Sequence, residues 1–114
     1  NHIIAAGGIE NAVARIRNAV SHLVKIEVEV ASAAEVRQAL DAGADVIMLD
    51  NMTIRQIKEA TAFINRRAIV ELSGNVTKNV LKSLAETGID IISVGALTHS
   101  AGCVDMSMRI EMAD

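Results

Sequence analysis

The chain has 114 residues, 11 Lys+Arg against 14 Asp+Glu, a net charge of -3, and no Pro, Trp or Tyr. With 51% hydrophobic and 22% charged residues it reads as one globular unit or part of one, not as a disordered chain. The mild negative balance speaks against nucleic acid as a partner, and the apolar runs are too short for a membrane span.

The order is helix, then strand, four times over. After Gly7-Gly8, residues Ile9 to Leu23 have helical periodicity, with Ile9, Val13, Ile16 and Val20 on one face. Lys25 to Val30 alternates with period 2 and predicts a strand. Ser32 caps the next helix, with Glu35 in capping-box position, and that helix stops at Gly43. Asp45 to Asp50 is the second strand, Thr53 to Asn65 the third helix, and Ala68 to Ser73 the third strand. Thr77 to Gly88 reads as a helix and Asp90 to Gly95 as the fourth strand; the tail reads as helical near Val104 to Ile110. A faint repeat, Ala42-Gly43-Ala44-Asp45 and Thr87-Gly88-Ile89-Asp90, marks two helix-to-strand joints.

Strand starts lie roughly 20 to 23 residues apart, the length of βα units with parallel strands and right-handed crossovers. The expectation is an α/β chain of four such units, residues 1–114 forming a single segment of an incomplete (β/α) barrel. An open flavodoxin-like sheet is the alternative. The abrupt start at Asn1 suggests a piece of something longer. The single cysteine, Cys103, favours a reducing, cytoplasmic setting.

Both architectures bind ligands at the carboxyl ends of their strands. Glu27 and Glu29 share one face of the first strand, Asp50 lies on the Val46/Met48 face of the second, Glu71 pairs with Ser73 on the third, and Ser93 with Gly95 on the fourth. Carboxylates inside parallel strands are costly unless paired, hydrogen-bonded or metal-bound. Glu29, Asp50 and Glu71 suit Mg²⁺ or sugar hydroxyls. A plainer reading pairs Lys25 with Glu27 on an exposed edge strand. Ser73-Gly74-Asn75 and Gly95-Ala96-Leu97-Thr98 follow the last two strands, where backbone N–H groups can hold an anion. His2 and His99 lie in strand-end loops; His22 reads as a solvated side chain.

Asn1-His2-Ile3, Glu27-Val28-Glu29-Val30, Met48-Leu49-Asp50-Asn51, Glu71-Leu72-Ser73-Gly74 and Ser93-Val94-Gly95-Ala96-Leu97-Thr98-His99-Ser100 together resemble the carboxyl-terminal half of the quinolinate phosphoribosyltransferase family. The resemblance runs in order along essentially the whole chain. It implies transfer of a phosphoribosyl group from phosphoribosyl pyrophosphate to quinolinate with Mg²⁺, giving nicotinic acid mononucleotide, CO₂ and pyrophosphate for NAD synthesis. It further implies that Glu29 and Asp50 bind the ribose hydroxyls and the Mg²⁺–pyrophosphate region, with Asp50 reaching the metal directly or through water. Ser73, Gly74 and Asn75 match the loop holding the 5′-phosphate, where many members have Gly at the position of Asn75. Gly95 matches a second phosphate loop and His99 a supporting histidine, and Glu71 and His2 belong to the same implied site. Family members are dimers or higher homo-oligomers. The residues that grip quinolinate come from the earlier half of the enzyme and from a partner subunit, so the isolated chain is expected to be inactive. A non-catalytic module that at most binds phosphate is the competing expectation.

Overall fold

The structure, a computed structural model, describes residues 1–74, 76–100 and 102–112. Helix α1 (His2–Ala6) leads into α2 (Ile9–Ala19), and then strands and helices alternate: β1 (Glu27–Val30), α3 (Ala33–Asp41), β2 (Val46–Asp50), α4 (Ile54–Ile64), β3 (Ile69–Ser73), α5 (Leu81–Ala85), β4 (Ile91–Ile92) and α6 (Ala96–His99). All strand pairs are parallel, and the sheet order is β1-β2-β3-β4.

That order decides between the two expected architectures. A flavodoxin-like sheet reverses direction at a switch point and runs 2-1-3-4. Here each strand lies beside its successor, as in an arc of a (β/α) barrel, so the flavodoxin-like alternative is corrected. Helices α2 to α5 pack on one face. Val28 and Val30, Ile47 and Leu49, and Val70 and Leu72 point to that side and share a buried cluster with Val13, Val36, Ala39, Ile57, Ile64 and Leu84. Ladder register aligns the β-branched Val28, Ile47 and Val70 in one row and Val30, Leu49 and Leu72 in the next, so each row presents side chains of similar size to the helices. The opposite face carries Glu27, Glu29, Met48, Asp50, Glu71 and Ser73.

The helix starts have local causes. Ser32 accepts from the Glu35 N–H at 3.3 Å, but the Glu35 carboxylate reaches back to the Ala31 N–H at 2.7 Å, one residue earlier than in a standard capping box. The reciprocal box forms instead at α4, where Thr53 accepts from Gln56 N and Gln56 Oε1 accepts from Thr53 N.

The repeated Gly-x-Asp joints have a shared structural use. Asp45 Oδ2 accepts from Ile26 N–H at 2.7 Å, and Asp90 Oδ2 accepts from Val70 N–H at 2.8 Å. The same residues donate their own N–H back to Ile26 O and Val70 O, both at 2.9 Å. Each aspartate thus ties its strand to the one before it. Asp45 also takes Arg17 at 2.8 Å. The Ile26 N–H, and after it the Arg17 guanidinium, hold the Asp45 carboxyl below the usual carboxylate range. Its stabilising effect is therefore present above the ordinary carboxylate pKa and is lost as pH falls through the lowered value. With that side chain about a third open to solvent, Asp45→Ala should cost about 1 kcal/mol in urea unfolding at neutral pH. The difference should shrink in acid; a difference independent of pH would contradict the assignment.

Several expectations differ from the structure, among them the fourth strand, which shrinks from Asp90 to Gly95 down to Ile91–Ile92 as the chain turns helical at Gly95. His2 and His99, expected in strand-end loops, open α1 and close α6, two short helices; Gly7, with φ 82, ends α1. Helix α2 ends at Ala19 instead of Leu23, because Val20 turns extended. The expected helix from Thr77 shrinks to α5, because Thr77 to Val80 closes a separate turn (Val80 N to Thr77 O, 3.1 Å) and α5 has no side-chain cap. The tail is not helical: residues 102–112 have no regular structure, and Val104, Met106, Met108 and Ile110 are exposed. Their strict alternation with polar residues is a strand period, which a helix would scatter around its axis.

Candidate functional site

The uncovered face ends, at the carboxyl edge of the sheet, in the residues singled out from the sequence. Asp50 closes β2 and stands in register with Ser73, which closes β3. The chain then turns through Asn51, φ 50, whose N–H donates to Ser73 O at 3.3 Å. Asn51 Nδ2 donates to both carboxylate oxygens of Asp50 at 3.0 Å, fixing that carboxylate at the rim. Gly74 follows Ser73 with φ 84, packed so closely on Asn51 that an added Cβ would lie 2.8 Å from its Cγ. Glycine is required there twice over, for its dihedral and for the contact.

At Gly95 the contact is with an exposed side chain. The φ of Gly95 is ordinary, but a Cβ there would lie 2.9 Å from Nε2 of His99, whose ring folds back over it. The other ring nitrogen, Nδ1, is 2.8 Å from Ser100 Oγ. Gly95 and His99 therefore form one local unit after β4. Asn75, the third residue assigned to the first loop, lies outside the described residues.

One row below the rim, register aligns Glu29, Met48, Glu71 and Ile91. Glu29 is exposed, and it shares a hollow of about 280 Å³ with Glu27 and with Asn1 and His2 from α1. Glu71 is only 9% exposed, and one carboxylate oxygen accepts a hydrogen bond from the Ser93 hydroxyl. Burial pushes the Glu27 carboxyl above its usual range, helped by the charges of Glu71 and Glu29. The ion pairs among the described residues are Arg17–Asp45 and Arg55–Glu59, so the Lys25–Glu27 pairing is not formed.

No group of three or more His, Cys, Asp or Glu among the described residues could hold a metal ion. A closed cage is thus absent, while Asp50 offers two rim oxygens. Mg²⁺ is commonly bound by one or two carboxylates with phosphate oxygens and water completing the shell. Asp50 could join such a shell. At the other end of the sheet a hollow of about 750 Å³ is lined by Lys25, Arg66 and Arg67 with Asp45 and Asp90. The sequence reading gave this cationic end no weight. No helix among the described residues is long and apolar enough to cross a membrane.

Comparison with known proteins gives a consistent picture. The family described as quinolinate phosphoribosyl transferase, C-terminal domain, matches residues 1–109. A Rattus norvegicus protein named nicotinate-nucleotide pyrophosphorylase (carboxylating) is 40% identical over 96% of this chain and 38% of its own length. The crystal structure of NadC from Streptococcus pyogenes superposes with a TM-score of 0.83 at 41% identity, covering 96% of this chain and 38% of that one. The nicotinate-nucleotide pyrophosphorylase structure from Francisella tularensis gives 0.81 at 42% identity, covering 86% and 35%. The chain spans about two fifths of the length of the relatives it matches.

Proposed function

The chain belongs to the quinolinate phosphoribosyl transferase C-terminal domain family, and from that premise we propose that it builds the phosphoribosyl half of a carboxylating transferase site. The reaction moves the phosphoribosyl group of phosphoribosyl pyrophosphate onto the ring nitrogen of quinolinate, with loss of pyrophosphate and CO₂, toward NAD in the cytoplasm. The observation that carries this reading is the juxtaposition of Asp50, Ser73 and Gly74 at the carboxyl ends of two paired parallel strands.

The chemistry follows from charge. Displacing pyrophosphate at the anomeric carbon leaves positive charge on the ribose ring. Glu29 and Asp50 accept hydrogen bonds from the ribose hydroxyls, which orients the sugar, and their charges favour that developing cation. Ser73 and the backbone around Gly74 hold the 5′-phosphate away from the reacting bond, so binding energy remote from the chemistry fixes the sugar. Gly95, kept clear under the His99 ring, lines the second loop beside it. Asp50 is the residue that would hold Mg²⁺, which would supply positive charge against the leaving pyrophosphate. His2, beside Glu29, faces the ribose side. The acceptor pocket is assigned to parts of the enzyme beyond this chain, including a partner subunit.

Calorimetric titration of the chain with phosphoribosyl pyrophosphate tests the reading. Binding should depend on Mg²⁺, and Asp50→Ala should weaken it by at least about tenfold, or ~1.4 kcal/mol. With quinolinate added, the chain alone should release no pyrophosphate. A correctly folded chain that ignores the ligand, or binds it equally well without Asp50, would sink the proposal.

A further inference from the structure

The β2–β3 ladder runs over five register pairs, but β3–β4 runs over two, Glu71 with Ile91 and Leu72 with Ile92. β4 is also the last strand of the sheet, so backbone pairing holds it from one side only. Yet the loop that begins at Gly95 must keep a fixed distance from the loop at Gly74 if both are to grip one ligand. Past the ladder, one backbone bond between these strands remains among the described residues, Ser93 N–H to Leu72 O at 2.9 Å. The hydrogen bond from the Ser93 hydroxyl to Glu71 is the side-chain tie at the same level, on the uncovered face.

Glu71 differs from the other carboxylates of that face. Glu27 and Glu29 are exposed, while Glu71 is nine-tenths buried with an oxygen already engaged. A carboxylate two residues before a phosphate loop would repel a phosphate dianion if it faced the ligand. Buried and given a hydroxyl donor, it makes a charge-assisted bond, stronger than a neutral one. We propose that Glu71 and Ser93 are a positioning pair that sets the spacing of the two loops after β3 and β4, Glu71 acting through Ser93 and not on the ligand. The proposal rests on the reading of those loops as phosphate-holding. It assigns Glu71 a place that neither sugar nor metal binding accounts for.

The test uses the 114-residue chain and two readouts. Amide hydrogen exchange without ligand reports the tie itself. Ser93→Ala should speed exchange of the Ser93 amide about tenfold while the amides of β2 keep their protection. Ser93→Thr, which keeps the hydroxyl, should restore it, and Glu71→Gln, which keeps an acceptor but loses the charge, should fall between. Titration with Mg²⁺ and phosphoribosyl pyrophosphate reports the consequence: Ser93→Ala should weaken binding about tenfold, with Ser93→Thr near the unaltered chain. Unchanged exchange in Ser93→Ala overturns the tie. Faster exchange with unchanged affinity overturns the positioning role. An unaltered chain that does not bind at all removes the phosphate reading, and the positioning role with it, leaving the exchange result as a measure of a purely structural contact.

Discussion

Gly74→Val should abolish binding of phosphoribosyl pyrophosphate by the chain, the largest functional loss expected of any single change at the loop. Two independent effects add at that position. The backbone stands at φ 84, a region that a β-branched residue enters only at a cost of about 1–3 kcal/mol. A Cβ would also press on Asn51 at 2.8 Å from its Cγ. Asn51 is the residue that holds Asp50 through both carboxylate oxygens. Displacing it therefore disturbs the proposed phosphate loop and the proposed ribose and metal ligand together. Titration of the variant, with its fold checked by circular dichroism, decides the matter. A folded Gly74→Val chain with native affinity would show that the loop is not part of the binding surface.

Leu49→Ala is expected to produce the largest loss of stability. Leu49 is 0% exposed, one residue before the end of β2, with Val30 and Leu72 beside it in register and the helices above. Truncation removes apolar contact and leaves a cavity that a parallel strand paired on both sides cannot easily close. The expected cost is about 3 kcal/mol, within the 2–5 kcal/mol found for such changes. A domain of this size has only about 5–15 kcal/mol in total, so the midpoint of urea unfolding should fall sharply. Leu97→Ala, at a leucine 79% exposed on α6, should stay within about 0.5 kcal/mol. Equal effects of the two changes would contradict the one-sided core.

Much of this was legible in the sequence because it is local and periodic. The alternation Glu27-Val28-Glu29-Val30 assigned both faces of β1 correctly, and the position of Asp50 relative to Val46 and Met48 put it on the uncovered face. Thr53 and Gly43 marked their helix ends for reasons contained within a few residues. What was not legible depends on contacts distant in sequence. Neither the burial of Glu71 nor its bond to Ser93 can be read from one strand, because both arise when β4 docks. The Gly-x-Asp repeat was visible, but its use, a carboxylate stapling the preceding strand, requires the neighbouring strand's first N–H. The tail between Val104 and Ile110 has a period of two, which gives the helix expected there no periodic support, and the expected long helix after Thr77 is broken by a turn at weakly helical residues. Strand order, and with it the choice of a barrel arc, is likewise set by pairing, which spacing alone left open.

The measurement that bears most directly on the proposed half-site is a map of amide chemical-shift changes in the chain as phosphoribosyl pyrophosphate and Mg²⁺ are added. The anionic ligand has two contrasting ends of the sheet to choose from: the carboxyl rim, and the hollow lined by Lys25, Arg66 and Arg67. The account predicts Mg²⁺-dependent shifts concentrated at Glu29, Asp50, Ser73, Gly74, Gly95 and His99. Shifts concentrated instead around Lys25, Arg66 and Arg67, with the rim silent, would contradict it.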